Sequence, residues 1–295
     1  MSRIQADLLL LITAVIWGTA FIAQKTGMEG IGPLTFVGSR FILSFLVVAP
    51  LCLLERKKSN LPELTRKDAW LLLGLSASFF PGVYLQQAGL VSTSVTNAGF
   101  LTGLYVVLVP FVYWILFRKP PARLIWPASL IALLGVWLLN GAKISAFVTG
   151  DWLVLASAFF FAVHVAMIGL VAYRTRRPLM CCAVQYAACG LCGLILGASL
   201  EGFTAATLQA NALPICYAGI VSGGIAYTLQ AIAQQHSPPS DAAIILSGES
   251  LFAALAAFVI LHERVDAMGV VGCVLILSAM LLVEWGSLKK PRTLA

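Results

Sequence analysis

Charge is what this sequence lacks most. Asp, Glu, Lys and Arg make up 11% of its residues, against roughly a quarter in a soluble domain. So sparse a charge belongs in lipid rather than in water. Several chemical signatures are missing as well. There is no HExxH zinc motif, no G-x-S-x-G elbow, no P-loop and no paired-Asp constellation, so the commonest hydrolytic and nucleotide-dependent chemistries have no residues to run on. Ser247-Gly248-Glu249-Ser250 comes nearest to a nucleophile motif, without a His to partner it in sequence. Cys189 and Cys192 have C-x-x-C spacing but no second pair and no nearby His. With the other cysteines they lie inside apolar runs and read as small packing residues, so no metal and no cofactor is expected. No Ala-x-Ala site follows the first apolar run, which reads as retained rather than cleaved.

What the chain has instead is hydrophobic length. Of its residues 60% are apolar. A membrane-spanning helix needs about 20 mainly apolar residues, and ten such runs are present. They are Leu8 to Thr26, Gly32 to Leu54, Ala69 to Leu90, Val95 to Phe117 and Leu124 to Gly141. The second set is Asp151 to Tyr173, Leu179 to Ser199, Ala210 to Ala233, Ser240 to Leu261 and Ala267 to Trp285. The net charge of +7 is no nucleic-acid patch, because the basic residues sit in loops at helix ends. With the N-terminus in the cytoplasm, 15 Lys and Arg fall on inner loops and termini, against 3 outside: Lys25, Lys143 and Arg264. Arg40 lies within a helix. That bias predicts cytoplasmic termini and a multi-pass protein of the inner or plasma membrane.

The chain also repeats itself. Tyr84 to Phe117 and Tyr227 to Leu261 both open on Tyr-x-x-Gln (Tyr84 and Gln87, then Tyr227 and Gln230), pass a polar break and enter an apolar run. Asn97 falls opposite Asp241 at a shift of 144 residues. Asp7 matches Asp151 and Trp17 matches Phe161 at the same shift, and Arg40 matches Gln185 at a shift of 145. Five helices per half make the halves inverted. The expected fold is therefore an all-α membrane protein, ten transmembrane helices as two inverted five-helix repeats, divided at residues 1–143 and 144–295.

Four stretches carry a resemblance: Ala14 to Phe21 in the first helix, Arg40-Phe41 in the second, Thr102 to Pro110 in the fourth, and Leu261-His262-Glu263-Arg264 after the ninth. On these the chain resembles the ten-helix EamA-type transporters of the drug/metabolite transporter superfamily. The resemblance implies a central pathway surrounded by helices one to four and six to nine. It also implies export of small metabolites such as amino acids by alternating access. Four-helix relatives use a first-helix carboxylate for proton exchange, whereas this first helix has Trp17 at its middle and no acid there. A membrane-embedded enzyme acting on a lipid-linked or small polar substrate is the alternative.

Polar groups deep in lipid are costly and should face protein, water or substrate. The substrate-pathway candidates are Trp17, Arg40, Tyr84, Gln87, Asn97, Thr102, His164, Tyr227, Gln230 and Glu249. Arg40 suits a carboxylate substrate or an internal ion pair. Tyr84 with Gln87, and Tyr227 with Gln230, each share a helix face and suit either substrate contact or helix–helix hydrogen bonds. His164 and Glu249 lie near mid-helix and suit a proton or a substrate amine, so proton coupling would run through Glu249. The expected partners are the bilayer and a small molecule, with no nucleic acid.

Overall fold

A computed structural model describes residues 1–28, 30–57, 61–139, 142, 148–261 and 266–289. Lys58, Lys143, Arg264 and the motif at His262 to Arg264 lie outside those residues. Ten helical rods run through the described chain. The first repeat comprises α1 (Arg3–Thr26), α2 (Pro33–Arg56), α3 (Arg66–Ser92), α4 (Val95–Gly103, then Tyr105–Phe117) and α5 (Ile125–Leu139). The second comprises α6 (Thr149–Thr175), α7 (Pro178–Leu200), α8 (Ala212–Ala233), α9 (Pro239–Leu246, then Glu249–Leu261) and α10 (Ala267–Lys289). Seven of the rods, α4 among them with its two segments taken together, are long and apolar enough to cross a membrane, while the apolar lengths of α5 and α10 are shorter.

Local chemistry sets the starts of these rods. Ser2 and Gln5 form a capping box on α1, and Thr65 and Asp68 form another on α3. Pro33, Pro178 and Pro239 open α2, α7 and α9, where the missing N–H of proline has no helical partner to lose. The outward faces carry large apolar groups such as Ile115, Leu200 and Leu281, which is the surface a bilayer covers. The interior holds the polar groups: Gln24, Arg40, Gln87, His164, Gln185, Gln230, Gln234 and Glu249 are all buried.

Contacts between the repeats obey an approximate two-fold axis. Helix α2 packs along α7, and α5 along α10. The contact of α3 with α6 has its mate in α1 with α8, and α1 with α9 has its mate in α6 with α4. The α2–α7 pair shows why the sequence permits this. A Cβ on Gly193 would lie 2.6 Å from the Gly38 backbone, so only glycine allows that approach. Each helix then caps the other. The Glu201 carboxylate, at the end of α7, accepts from Leu34 N at 2.8 Å and Thr35 N at 2.9 Å. The Glu55 carboxylate, at the end of α2, accepts from Leu179 N at 3.3 Å and Met180 N at 3.0 Å. Both acids satisfy orphan N–H groups at the positive end of a helix dipole.

Glycines recur at four-residue spacing at Gly99 and Gly103, Gly193 and Gly197, and Gly219 and Gly223, and they do not all serve close approach. Gly193 and Gly197 meet α2, and Gly219 and Gly223 meet Arg40 O and Ser44, but nothing lies within 4 Å of a Cβ placed on Gly99.

Candidate functional site: a polar cavity between broken helices

Both fourth helices break at matched positions. In α4 the first segment ends at Gly103 and the second begins at Tyr105. In α9 the first ends at Leu246 and the second begins at Glu249. Tyr105 and Glu249 are repeat mates, 144 residues apart. Both are 3% exposed, and neither the Tyr105 hydroxyl nor Glu249 Oε1 has a hydrogen-bond partner. Paired breaks in inverted repeats are where transporters free backbone and side chains for a ligand.

A third irregularity completes the site. Helix α8 is π-helical from Tyr217 to Tyr227. The wider turn loosens the i→i−4 ladder, and its carbonyls accept from neighbouring helices. Thr13 Oγ1 donates to Ala226 O at 3.2 Å, Trp17 Nε1 to Ser222 O at 3.2 Å and Ser44 Oγ to Gly219 O at 2.7 Å. The Trp17 ring thereby stands against Tyr227, with centroids 4.5 Å apart. Phe161, the repeat mate of Trp17, lines the same cavity.

Two ionisable groups of opposite sign line that cavity. Arg40 is 2% exposed. Its Nη1 donates to Gln24 Oε1 at 2.8 Å, and its guanidinium carbon lies 4.7 Å from the Phe41 ring centroid. Its Nε has no partner. Among the described residues no carboxylate pairs with it. A buried guanidinium held by a neutral amide and an aromatic face has bonding capacity left for an anion. Gln185, the repeat mate of Arg40, is also tied to the first helix of its own half, by His164, whose Nε2 lies 3.0 Å from Gln185 Oε1. His164 Nδ1 is unpartnered. Each repeat thus ties its first helix to its second by one polar pair, one with a fixed charge and one with an imidazole. Glu249, on the broken helix, supplies the acid.

The structure brings Trp17, Arg40, Thr102, His164, Tyr227, Gln230 and Glu249 to this cavity. It places three other candidates elsewhere. Tyr84 stacks on Phe80 with centroids 6.1 Å apart. Gln87 is fully buried and donates its Nε2 to Gln24 O at 2.9 Å. Asn97 sits in the first turn of α4, its N–H donating to Ser94 Oγ at 3.0 Å. Gln86 lines the cavity in place of Gln87 and donates to Thr102 Oγ1 at 3.1 Å. The matched pair in the cavity is thus Gln86 with Gln230, at the shift of 144 seen in the first and fourth helices, and not the Tyr-x-x-Gln alignment at 143. Phe21, Gln24, Tyr105, Val165 and Ser222 also line the site. Tyr105 was detectable from sequence as the mate of Glu249, but the others carry no signal of their own. Lys25 does not reach for solvent alone: its Nζ donates to Leu90 O and, at 3.1 Å, to Thr93 O. Among the described residues no cluster of three metal-ligating side chains occurs.

The fold and its twinned broken helices define a membrane transporter built from two repeats. The EamA-like transporter family model matches residues 4–141 and 148–285, and the chain belongs to that family. It is 32% identical over 286 residues to an uncharacterized transporter of Archaeoglobus fulgidus, a match covering 96% of this chain and 87% of that one. It is also similar, at 28% identity over 114 residues, to an S-adenosylmethionine/S-adenosylhomocysteine transporter of Chlamydia muridarum, covering 39% of this chain and 35% of that one. A solved crystal structure superposes with a TM-score of 0.76 at 17% identity, covering 99% of this chain and 100% of the other, which shows the shared fold.

Proposed function

We propose that this protein carries a small zwitterionic metabolite, an amino acid or a molecule bearing an amino-acid end, by alternating access through the central cavity. The observation that carries the reading is the pair of buried, opposite charges that do not pair with each other: Arg40 with spare donors, and Glu249 with an unpartnered oxygen, in one cavity. A substrate carboxylate would take the Arg40 fork, a substrate ammonium would take Glu249, and the apolar remainder would lie against Trp17, Tyr227 and Phe161. Burying unpaired charge is costly. A zwitterion fits because it neutralises both groups at once. The Chlamydia relative is named for substrates that carry an amino-acid end, which agrees with that chemistry.

Glu249 is also the carboxylate placed to couple transport to protons. The direction is outward, on the family resemblance, and the inner or plasma membrane with both termini cytoplasmic follows from the distribution of Lys and Arg. We take residues 1–143 and 144–295 as the two moving halves. Purified protein in proteoliposomes, loaded with unlabelled amino acid and offered a panel of labelled amino acids, sugars and nucleosides, tests the reading. Counterflow confined to compounds carrying both an α-carboxylate and an amine supports it. Flux of neutral sugars only, or no flux of any member, refutes it.

A further inference from the structure

The two ends of the molecule use the same positions but are closed differently. At one end Thr93 Oγ1 donates to Asp151 Oδ1 at the start of α6, while Asp151 Oδ2 accepts from Val148 N at 3.0 Å. At the other end Ser237 Oγ donates to Asp7 Oδ1 at 3.2 Å at the start of α1. Asp7 and Asp151 are mates, as are Thr93 and Ser237, both at a shift of 144. So far the ends are equivalent.

The equivalence fails in two places. Opposite Asn97 the second repeat has Asp241, and Arg3 spans it and Asp7. Arg3 Nε lies 2.6 Å from Asp7 Oδ2, and Nη2 lies 2.9 Å from Asp241 Oδ2. Position 147, the mate of Arg3, is Phe in the sequence. The second difference concerns Lys25 and its mate Gly169. Lys25 reaches Leu90 O through a long flexible side chain. At Gly169 a Cβ would lie 2.6 Å from Gln234 O, the mate of Leu90, so there α6 meets the end of α8 backbone to backbone. Gln234 Nε2 adds a bond to Val165 O at 2.9 Å. The first difference adds an ion-pair cluster at the end that holds Arg3, and the second gives that end close backbone contact where the outer end has the Lys25 tie.

We propose that the Arg3–Asp7–Asp241 cluster is a cytoplasmic gate with no ion-pair counterpart among the described residues of the outer end, which makes opening to the outside the easier of the two transitions. The proposal rests on the transporter reading and on the cytoplasmic N-terminus. Helices α1 and α9 both bear cavity residues, Trp17 and Glu249, and cross where a Cβ on Gly18 would sit 2.7 Å from Glu249 O. Parting them at the cytoplasmic end separates Arg3 from a carboxylate that is 1% exposed. Parting α4 from α6 at the outer end breaks a hydroxyl–carboxylate bond that water can replace. Removing one partner from a buried ion pair leaves a charge without its counter-ion, whereas Asp151 keeps its bond from Val148 N when the hydroxyl leaves.

The test is accessibility, which needs no substrate. In a full-length chain with its native cysteines replaced, Thr102→Cys places a thiol in the cavity. A membrane-impermeant maleimide is then applied to inside-out and right-side-out vesicles. Arg3→Gln and Asp241→Asn, each made separately, are expected to speed labelling from the cytoplasmic face roughly tenfold, the loss of about one charged bond. Thr93→Val should speed labelling from the outer face by less than either of these variants speeds it from inside, because Asp151 keeps its bond from Val148 N. The double exchange Arg3→Asp with Asp241→Arg returns one guanidinium between two carboxylates and should restore slow cytoplasmic labelling. The gate is overturned if both single variants leave the cytoplasmic rate unchanged, if the exchange fails to restore it, or if the acceleration appears only from outside. Failure of the transport reading shows separately, as absent flux in the counterflow panel while labelling still shifts.

Discussion

Replacing Arg40 by Gln separates a substrate-binding guanidinium from a structural one. In the folded protein Arg40 makes one hydrogen bond, to Gln24, and lies over the Phe41 ring. A side-chain bond inside a membrane protein contributes about 0.6 kcal/mol, and a desolvated cation–π contact about 2 kcal/mol. Against these stands the cost of burying a guanidinium without a counter-ion, several kcal/mol after relaxation. Arg40→Gln relieves that cost, so the melting temperature in detergent should hold or rise. Binding should move the other way. A bidentate carboxylate contact supplies two charge-assisted bonds of about 1.5 kcal/mol each at the low end. Their loss weakens half-saturation in counterflow by about a hundredfold. Arg40→Lys keeps the charge and loses the fork, and should cost about tenfold. The assay is the concentration dependence of counterflow in proteoliposomes, paired with thermal melting of the same preparations. A lower melting temperature with an unchanged half-saturation constant would refute the assignment and make Arg40 a tie between α1 and α2.

Glu249→Gln keeps the shape of the side chain and removes its ability to ionise. It should still exchange substrate across the membrane but no longer accumulate it against a proton gradient, and an unchanged gradient response in flux assays would dismiss Glu249 as the coupling group. The loop charges predict that Lys58→Cys is labelled only from the cytoplasmic face of sealed cells and Lys143→Cys only from outside; the reverse pattern inverts the topology. Glu201→Gln removes the charge from the cap on α2 while leaving one acceptor oxygen for Leu34 and Thr35. It should lower stability to unfolding by about 1 kcal/mol, with substrate affinity unchanged, and a shift in affinity without loss of stability would contradict the capping role.

Much of the architecture is already in the sequence, for a physical reason. Lipid imposes one constraint on every span, sustained hydrophobicity over a fixed length, and that constraint can be counted along the chain without knowing any contact. The same holds for the repeat. Asp7 with Asp151, Trp17 with Phe161 and Asn97 with Asp241 keep one shift because each pair occupies the same place in its half. Helix α9 breaks at Ser247-Gly248, a Ser-Gly pair of the kind at which helices loosen.

Which face of each helix meets the pathway was decided by tertiary structure alone. In a water-soluble helix the polar side marks the outside, but here both the lipid face and the packing face are apolar, so periodicity carries little information about direction. Gln86 and Gln87 illustrate it: adjacent, chemically identical, and turned one to the cavity and the other to a backbone carbonyl of α1. The π-helical stretch of α8 reflects side chains of α1 and α2 that capture its carbonyls across the interface, and no residue within Tyr217 to Tyr227 dictates it by itself. The partners of Arg40 were equally out of reach. Sequence placed a charge in the membrane, and only the packing of α1 against α2 gave it Gln24, and no carboxylate among the described residues, leaving its Nε without a partner.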